Sequence, residues 1–218
     1  LFLRHLVEPY HVDMLLEEGE ELVLGKRMLR VLHTPGHTLG HICLYLPQDK
    51  ILICGDAVHS DDVAWINPFR EGAGALERTM QSLDRLAQLD VQVALSGHGP
   101  LLLAPQESFD RARRRYEHWI EHPEKAGWHA CKRIFAYALM FNDGLEREGV
   151  AEYVLSCPWF VDYRQHFFQT QPAAFVQPFL EEMLRSKAVQ WSKERLVAMT
   201  AYTKPTEEWA SPWTQPDQ

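Results

Sequence analysis

Residues 32–41 read LHTPGHTLGH, and the fold of the chain turns on them. The segment ahead of them, 28–33, is a short strand candidate, and Pro35-Gly36 ends it in a tight turn that projects His37 from just past a strand end. Glycine allows the sharp bend, and a side chain carried on a rigid edge is held better than one on a floppy segment. The same pattern recurs twice downstream. ILIC at 51–54 runs into Gly55-Asp56, and Val91, Val93 and Leu95 alternate as a strand into Ser96-Gly97-His98-Gly99-Pro100. Alone, each piece is ordinary: a histidine after Pro-Gly is more often a turn residue than a ligand, and Gly-Asp commonly makes an Asx turn or a cap. Together, three strand ends would bring imidazole, carboxylate and imidazole to one sheet edge, donors that suit zinc, iron or manganese. The candidate metal ligands are therefore His37, Asp56 and His98.

Outward from these motifs the first half reads as α/β. Strand candidates lie at 21–23 and 28–33, with the turn Gly25-Lys26 between them. Those at 41–46 (HICLYL) and 51–54, joined through Pro47, make a hairpin signal. Over 73–89 the period changes: Leu76, Met80, Leu83 and Ala87 recur at helical spacing, opposite Glu77, Arg78, Asp84 and Arg85. Strands, a helix and a further strand predict an α/β layer structure. After Pro105 the composition shifts, to a charged helix over 106–121, a break at Pro123-Glu124-Lys125 and Gly127, and helices expected near 129–141, 149–156 and 172–186. A polar-apolar segment at 189–199 closes this part, an arrangement like a winged helix. The expected domains are 1–105 and 106–218, with a loosely ordered tail from Thr203.

Composition sets the broad class. The 218 residues are 46% hydrophobic and 24% charged, ordinary for a soluble globular protein, with no apolar run of membrane-spanning length. A formal charge of −8 argues against nucleic acid as an obligatory partner, because phosphate binding wants a basic surface. Four cysteines, Cys43, Cys54, Cys131 and Cys157, show no metal-type spacing and no disulfide framework, so a reducing, cytoplasmic setting is expected.

The composite TPGHTxGH, then a strand pair ending in GD, then a helix and strand ending in SGHG, resembles the metallo-β-lactamase superfamily across residues 13–104. That superfamily includes glyoxalase II-like thioesterases, β-lactamases, lactonases and RNA-processing nucleases. The resemblance implies the second half of its αββα sandwich, with His37 on a first metal, Asp56 bridging and His98 on a second. It implies two zinc ions in an intact site, manganese or iron being alternatives. It implies a metal-activated hydroxide attacking an ester, thioester, lactone or phosphodiester of a small-molecule substrate. Asp56 stands where β-lactamases of the first zinc subclass carry cysteine, which argues against antibiotic hydrolysis. The family's HxHxDH motif is absent: YHVD at 10–13 has neither its spacing nor a following histidine. Its usual place falls before Leu1, so the expectation is a chain lacking the upstream half of the site, with partial metal binding of its own. A degenerate, non-catalytic homologue used for binding or regulation is the alternative, an RNA-acting nuclease a second.

Further residues have a role to be decided. His41 and His59 are candidates for supporting hydrogen bonds or substrate contact, His59 otherwise being an exposed loop histidine, and His33 reads as structural. The segment 65–70 (WINPFR) could wall a pocket or plug the core. Arg111, Arg113, Arg114 and Arg115 interleave with Glu107, Asp110, Glu117 and Glu121, which favours a solvated helix face over a phosphate contact. Lys132-Arg133 is the nearest basic pair for an anionic substrate tail. Glu181-Glu182, in what would be the third helix, favours packing or a homodimer over DNA reading.

Overall fold

In the computed structural model, residues 11–202 are described; the segment 1–10 and the tail from Thr203 lie outside them. The alternating apolar runs form one five-stranded sheet of β1 (Glu21–Leu24), β2 (Arg27–His33), β3 (Ile42–Leu46), β4 (Ile51–Gly55) and β5 (Val93–Ser96), paired in that order. The first four pair antiparallel in chain order, β2 and β3 being joined by the loop 34–41. The link from β4 to β5 carries α1 (Pro68–Glu71) and α2 (Ala75–Ala87), long enough for a crossover, and these strands pair parallel with Leu52 opposite Ala94. Two antiparallel steps separate β2 from β4 and a parallel one joins β4 to β5, so all three run the same way. His33, Gly55 and Ser96, their last residues, therefore sit on one edge of the sheet, and the loops bearing His37, Asp56 and His98 leave from it.

Val31, Cys43, Leu52, Cys54 and Ala94 are wholly buried, with Leu83 and Leu86 of α2 among the core residues of this unit. α3 (Pro105–Glu121) adds Phe109, Ala112, Tyr116 and Trp119, spaced three or four apart on one face. The division into compact units consequently falls after Ile120 rather than after residue 105. The change of composition at 105 reflects the charged outer face of α3, whereas its apolar face completes the first core. The short α1 had no sequence signal beyond its cap, the Asn67 side chain accepting from the Phe69 amide at 3.1 Å.

The second unit holds α4 (Pro123–Asn142), β6 (Leu145–Glu146), α5 (Val150–Ser156), α6 (Pro158–Tyr163), α7 (Pro172–Arg185), β7 (Val189–Ser192) and β8 (Arg195–Ala198). Its three strands pair antiparallel in the order β6-β8-β7. Helix α4 starts at Pro123, six residues before the start expected from the sequence. Proline suits a first turn, and Gly127 stays inside the helix because a β-carbon there would lie 2.7 Å from the Phe167 ring. The break-like composition thus marks a helix start and a tight packing point. α6 and a π-helical turn at Arg164–Phe168 fill a stretch to which the sequence assigned no element. Phe135, Phe160 and Phe179 are wholly buried, with ring centroids 5.1 and 5.2 Å from Phe179. Among the described residues, no helix is long and apolar enough to cross a membrane.

Lys132, read above as a candidate for an anionic tail, pairs with Glu182 at 2.7 Å between α4 and α7. Burial alone would raise the Glu182 pKa, but Lys132 and Arg185 outweigh it and hold the carboxyl below its ordinary 4.5. A depressed folded pKa means that the pair's contribution is present above the ordinary value and is lost as pH falls through the lowered one. Glu182→Gln should cost no more than about 1 kcal/mol at pH 7. It should also shrink the loss of thermal stability below pH 4.5, read from melts at a series of pH values; an unchanged acid slope would show that the pair contributes nothing.

Candidate metal centre

The loop after β2 is closed by its own backbone, with the Thr34 amide donating to the His41 carbonyl at 2.9 Å and Gly36 to Thr38 at 3.1 Å. Two more distant groups clamp it. The buried Glu71 carboxylate accepts from the Leu39 amide at 2.7 Å, and the Ser82 hydroxyl of α2 donates to the Pro35 carbonyl at 2.8 Å. His33 serves the same loop, its Nε2 donating to the Leu39 carbonyl at 2.7 Å, which fits its structural reading.

His37 Nδ1 lies 2.7 Å from the Trp65 carbonyl oxygen. A carbonyl can only accept, so Nδ1 carries a proton, and in the neutral form of the ring Nε2 would hold the free lone pair. That Nε2 faces Asp56 Oδ2 at 3.4 Å. On the other side, His98 Nε2 stands 3.5 Å from Asp56 Oδ1. The three residues from three strand ends thus converge, with one imidazole at each carboxylate oxygen. Burial alone would raise the Asp56 pKa; the His59 hydrogen bond and the charges of His37, His98 and His59 reverse that and hold it below the ordinary carboxylate value.

His41 holds the backbone of this centre. Its Nε2 accepts from the Asp56 amide at 3.1 Å, which places the proton on Nδ1, 2.8 Å from the Thr34 hydroxyl oxygen. Burial, and then the nearby His37, lower its pKa and keep it neutral, as an acceptor must be. Its free lone pair is thereby used, so His41 supports Asp56 and is not available as a ligand. Gly55 makes the arrangement feasible: its φ is +47°, and a β-carbon would meet His41 Nε2 at 3.0 Å. Beyond Thr34, Cys43 and Cys54 are core thiols raised by burial to about 11 and about 12, which agrees with a structural reading.

His59 is buried rather than an exposed loop residue, and its Nε2 lies 3.2 Å from Asp56 Oδ1. The loop that carries it is pinned to α3. Arg111 donates to the Ser60 carbonyl, and Arg115 Nη1 lies 2.9 Å from Asp62 Oδ1. Arg113 pairs with Glu117 and Asp84. Arg111 and Arg115 of the basic run therefore scaffold the site loop, a role that neither sequence reading foresaw, whereas Arg113 and the exposed Arg114 keep to the outer face of the helix. Trp65 contributes through its backbone carbonyl, and Glu71 through one hydrogen bond to a loop 32 residues away; no sequence signal marks either.

The donor set fits a metal. Two ligands on one tetrahedral zinc ion, with bonds of about 2.0–2.1 Å, lie about 3.3–3.4 Å apart, close to the 3.4 and 3.5 Å separations here. Gly97 leaves the space that Asp56 occupies, since a β-carbon there would fall 2.8 Å from Oδ1.

Residues 3–98 match the model of the metallo-β-lactamase superfamily. The chain is 37% identical over 100 residues to an acyl-coenzyme A thioesterase, MBLAC2, of Gallus gallus, a match covering 44% of this chain and 35% of that protein. It is 36% identical over 90 residues to a hydroxyacylglutathione hydrolase of Bartonella tribocorum, covering 41% and 34%. The chain thus spans about a third of the length of these curated relatives. A crystal structure of a metallo-β-lactamase family protein from Thermus thermophilus superposes with a TM-score of 0.50 at 24% identity, over 88% of this chain and 56% of that one, a likeness of fold. By these matches and the convergent strand-end motifs, residues 3–98 are similar in sequence to the metallo-β-lactamase superfamily.

Proposed function

We propose that the first unit carries the Asp56 half of a dinuclear hydrolase centre that cleaves thioesters, with other esters, lactones and phosphodiesters as neighbouring chemistries. The observation that carries this is the pair His37 Nε2 and Asp56 Oδ2, 3.4 Å apart with Nδ1 of His37 held by the Trp65 carbonyl. Either a proton on Nε2 or a metal ion between the two joins them, and the spacing suits the ion. Zinc is the ion favoured, with manganese or iron as alternatives; Asp56, His37 and His98 are the residues that would hold it. A bound divalent ion lowers the pKa of water to about 7 and polarises the scissile oxygen. The chain's own part is to aim Nε2 of His37 through the Trp65 carbonyl on Nδ1, to hold the Asp56 backbone through His41, and to fix the loop 57–67 beside the centre through Arg111 and Arg115. The thioester preference rests on the two relatives' names, a thioesterase and a hydroxyacylglutathione hydrolase.

The second unit is proposed to be a winged helix, which the β6-β8-β7 sheet supports, with β6 between α4 and α5 and the β7-β8 hairpin after α7. A role in packing or homodimer formation, in a cytoplasmic protein of small-molecule metabolism, fits the interior use of Glu182. The test is hydrolysis of a thioester, a lactone, a bis-aryl phosphodiester and a cephalosporin with zinc or manganese, any coding sequence upstream of Leu1 included. Thioester turnover that is lost in Asp56→Ala is expected. No turnover of any substrate with metal occupancy confirmed would favour the alternative of a binding or regulatory homologue.

A further inference from the structure

Asp56 has more company than a bridging carboxylate needs. Its Oδ1 faces His98 at 3.5 Å and also His59 at 3.2 Å. The two imidazoles differ in how they are held. The His98 side chain is 72% exposed, whereas that of His59 is 10% exposed, on a loop fixed by Ser96 Oγ donating to the Val58 carbonyl at 2.8 Å and by Arg111 on Ser60. The His59 ring also meets the His98 ring edge to face, with centroids 5.7 Å apart. A carboxylate accepts only, so the hydrogen bond requires the proton on His59 Nε2. In that tautomer His59 cannot offer Nε2 to a metal; it occupies one lone-pair direction of Oδ1 and leaves the remaining ones for ions on the His37 and His98 sides.

We propose that His59 is the positioning residue of the bridging carboxylate: its Nε2–H fixes the rotation of Asp56 so that each oxygen is aimed at one terminal histidine. This rests on the metal-centre reading above and deepens it. Partners one step removed from the metal orient the ligands that bind it, and their loss typically weakens binding about 10–100-fold. His59 sits only three residues after Asp56, so the loop must turn back for the contact. Ala57 donating to the Cys54 carbonyl at 2.9 Å closes the turn that carries Asp56 off the end of β4.

Two substitutions separate the donor from the ring. His59→Phe keeps a ring against His98 and removes the N–H; His59→Gln keeps a donor and removes the ring. Zinc affinity of the 218-residue chain is measured by competition with a chromophoric chelator, beside thermal melts and an Asp56→Ala control. The expected result is affinity about 10–100-fold weaker in His59→Phe and close to wild type in His59→Gln. Wild-type affinity in His59→Phe would overturn the proposal and reduce His59 to packing. Equal, large losses in both variants would overturn it in favour of an imidazole that binds metal directly. If the unsubstituted chain binds zinc no better than Asp56→Ala, the metal-centre reading itself fails, a result distinguishable from either of these.

Discussion

Gly97→Ala is expected to weaken zinc binding by at least about 10–100-fold while leaving the fold nearly as stable as before. The new β-carbon would lie 2.8 Å from Asp56 Oδ1, closer than real β-carbons come, and 3.3 Å from the Gly55 carbonyl carbon. Of these neighbours, the carboxylate is the one that can give way, being the end of a side chain with two rotatable bonds. The backbone is not strained, because Gly97 does not use the positive φ that glycine alone favours. Its amide can keep the 2.8 Å bond to the Gly55 carbonyl that ties the ends of β4 and β5. Carrying Oδ1 from 2.8 Å out to an ordinary contact of 3.4 Å takes a displacement of about 0.6 Å, small for stability, within about 1 kcal/mol. It is large for a site whose ligands must be held within about 0.5 Å. The oxygens would no longer face His37 and His98 together, and the His59 hydrogen bond would be broken. Chelator competition and thermal melts on the same preparation check both halves. Unchanged zinc affinity in the Gly97→Ala variant would mean that Asp56 is not the bridging ligand.

Legibility from sequence divides along a physical line. The strand ends at His37, Asp56 and His98 could be read because each is written locally, as an apolar run, a glycine and a donor. Their convergence could be inferred because short turns force antiparallel pairing and a helical link permits a parallel one. The groups that orient these three side chains were not legible. The Trp65 carbonyl that sets the His37 tautomer is a backbone atom, so no residue type announces it. Glu71 and Arg111 act across 32 and 51 residues, and a buried glutamate or a helical arginine looks the same in sequence whether it holds a loop or faces solvent. The domain boundary failed for a related reason. Charge on the outer face of α3 dominates its composition, whereas Phe109, Tyr116 and Trp119, which decide where it packs, are a minority of its residues. Likewise α6 and the π-helical turn are short and built around aromatic contacts made by α4 and α7, so periodicity had too little length on which to act.

Gly36→Ala should give the opposite signature to Gly97→Ala, losing stability first. Gly36 passes directly over α2: a β-carbon would stand 2.9 Å from both Cα and Cβ of Thr79, and nearer still to its hydroxyl. The hydroxyl is already engaged with the Ala75 carbonyl at 2.8 Å, and Thr79 is buried. Backbone cannot rotate out of the way, so either α2 or the His37 loop must shift. Forcing one extra methyl group into a packed contact costs about 1–3 kcal/mol. Separation of the two elements also stretches the Ser82 hydrogen bond to Pro35, a further loss of about 1 kcal/mol. Denaturant melts should show a lower midpoint with an unchanged slope. Thr79→Ala in the same chain removes the hydroxyl and the methyl but leaves Cα and Cβ where they are, so it should restore only part of the stability. Full restoration would show that the clash is with the threonine side chain alone. Retention of wild-type stability in Gly36→Ala would mean that the loop does not lie against α2 as described, and the position of His37 would then need another support.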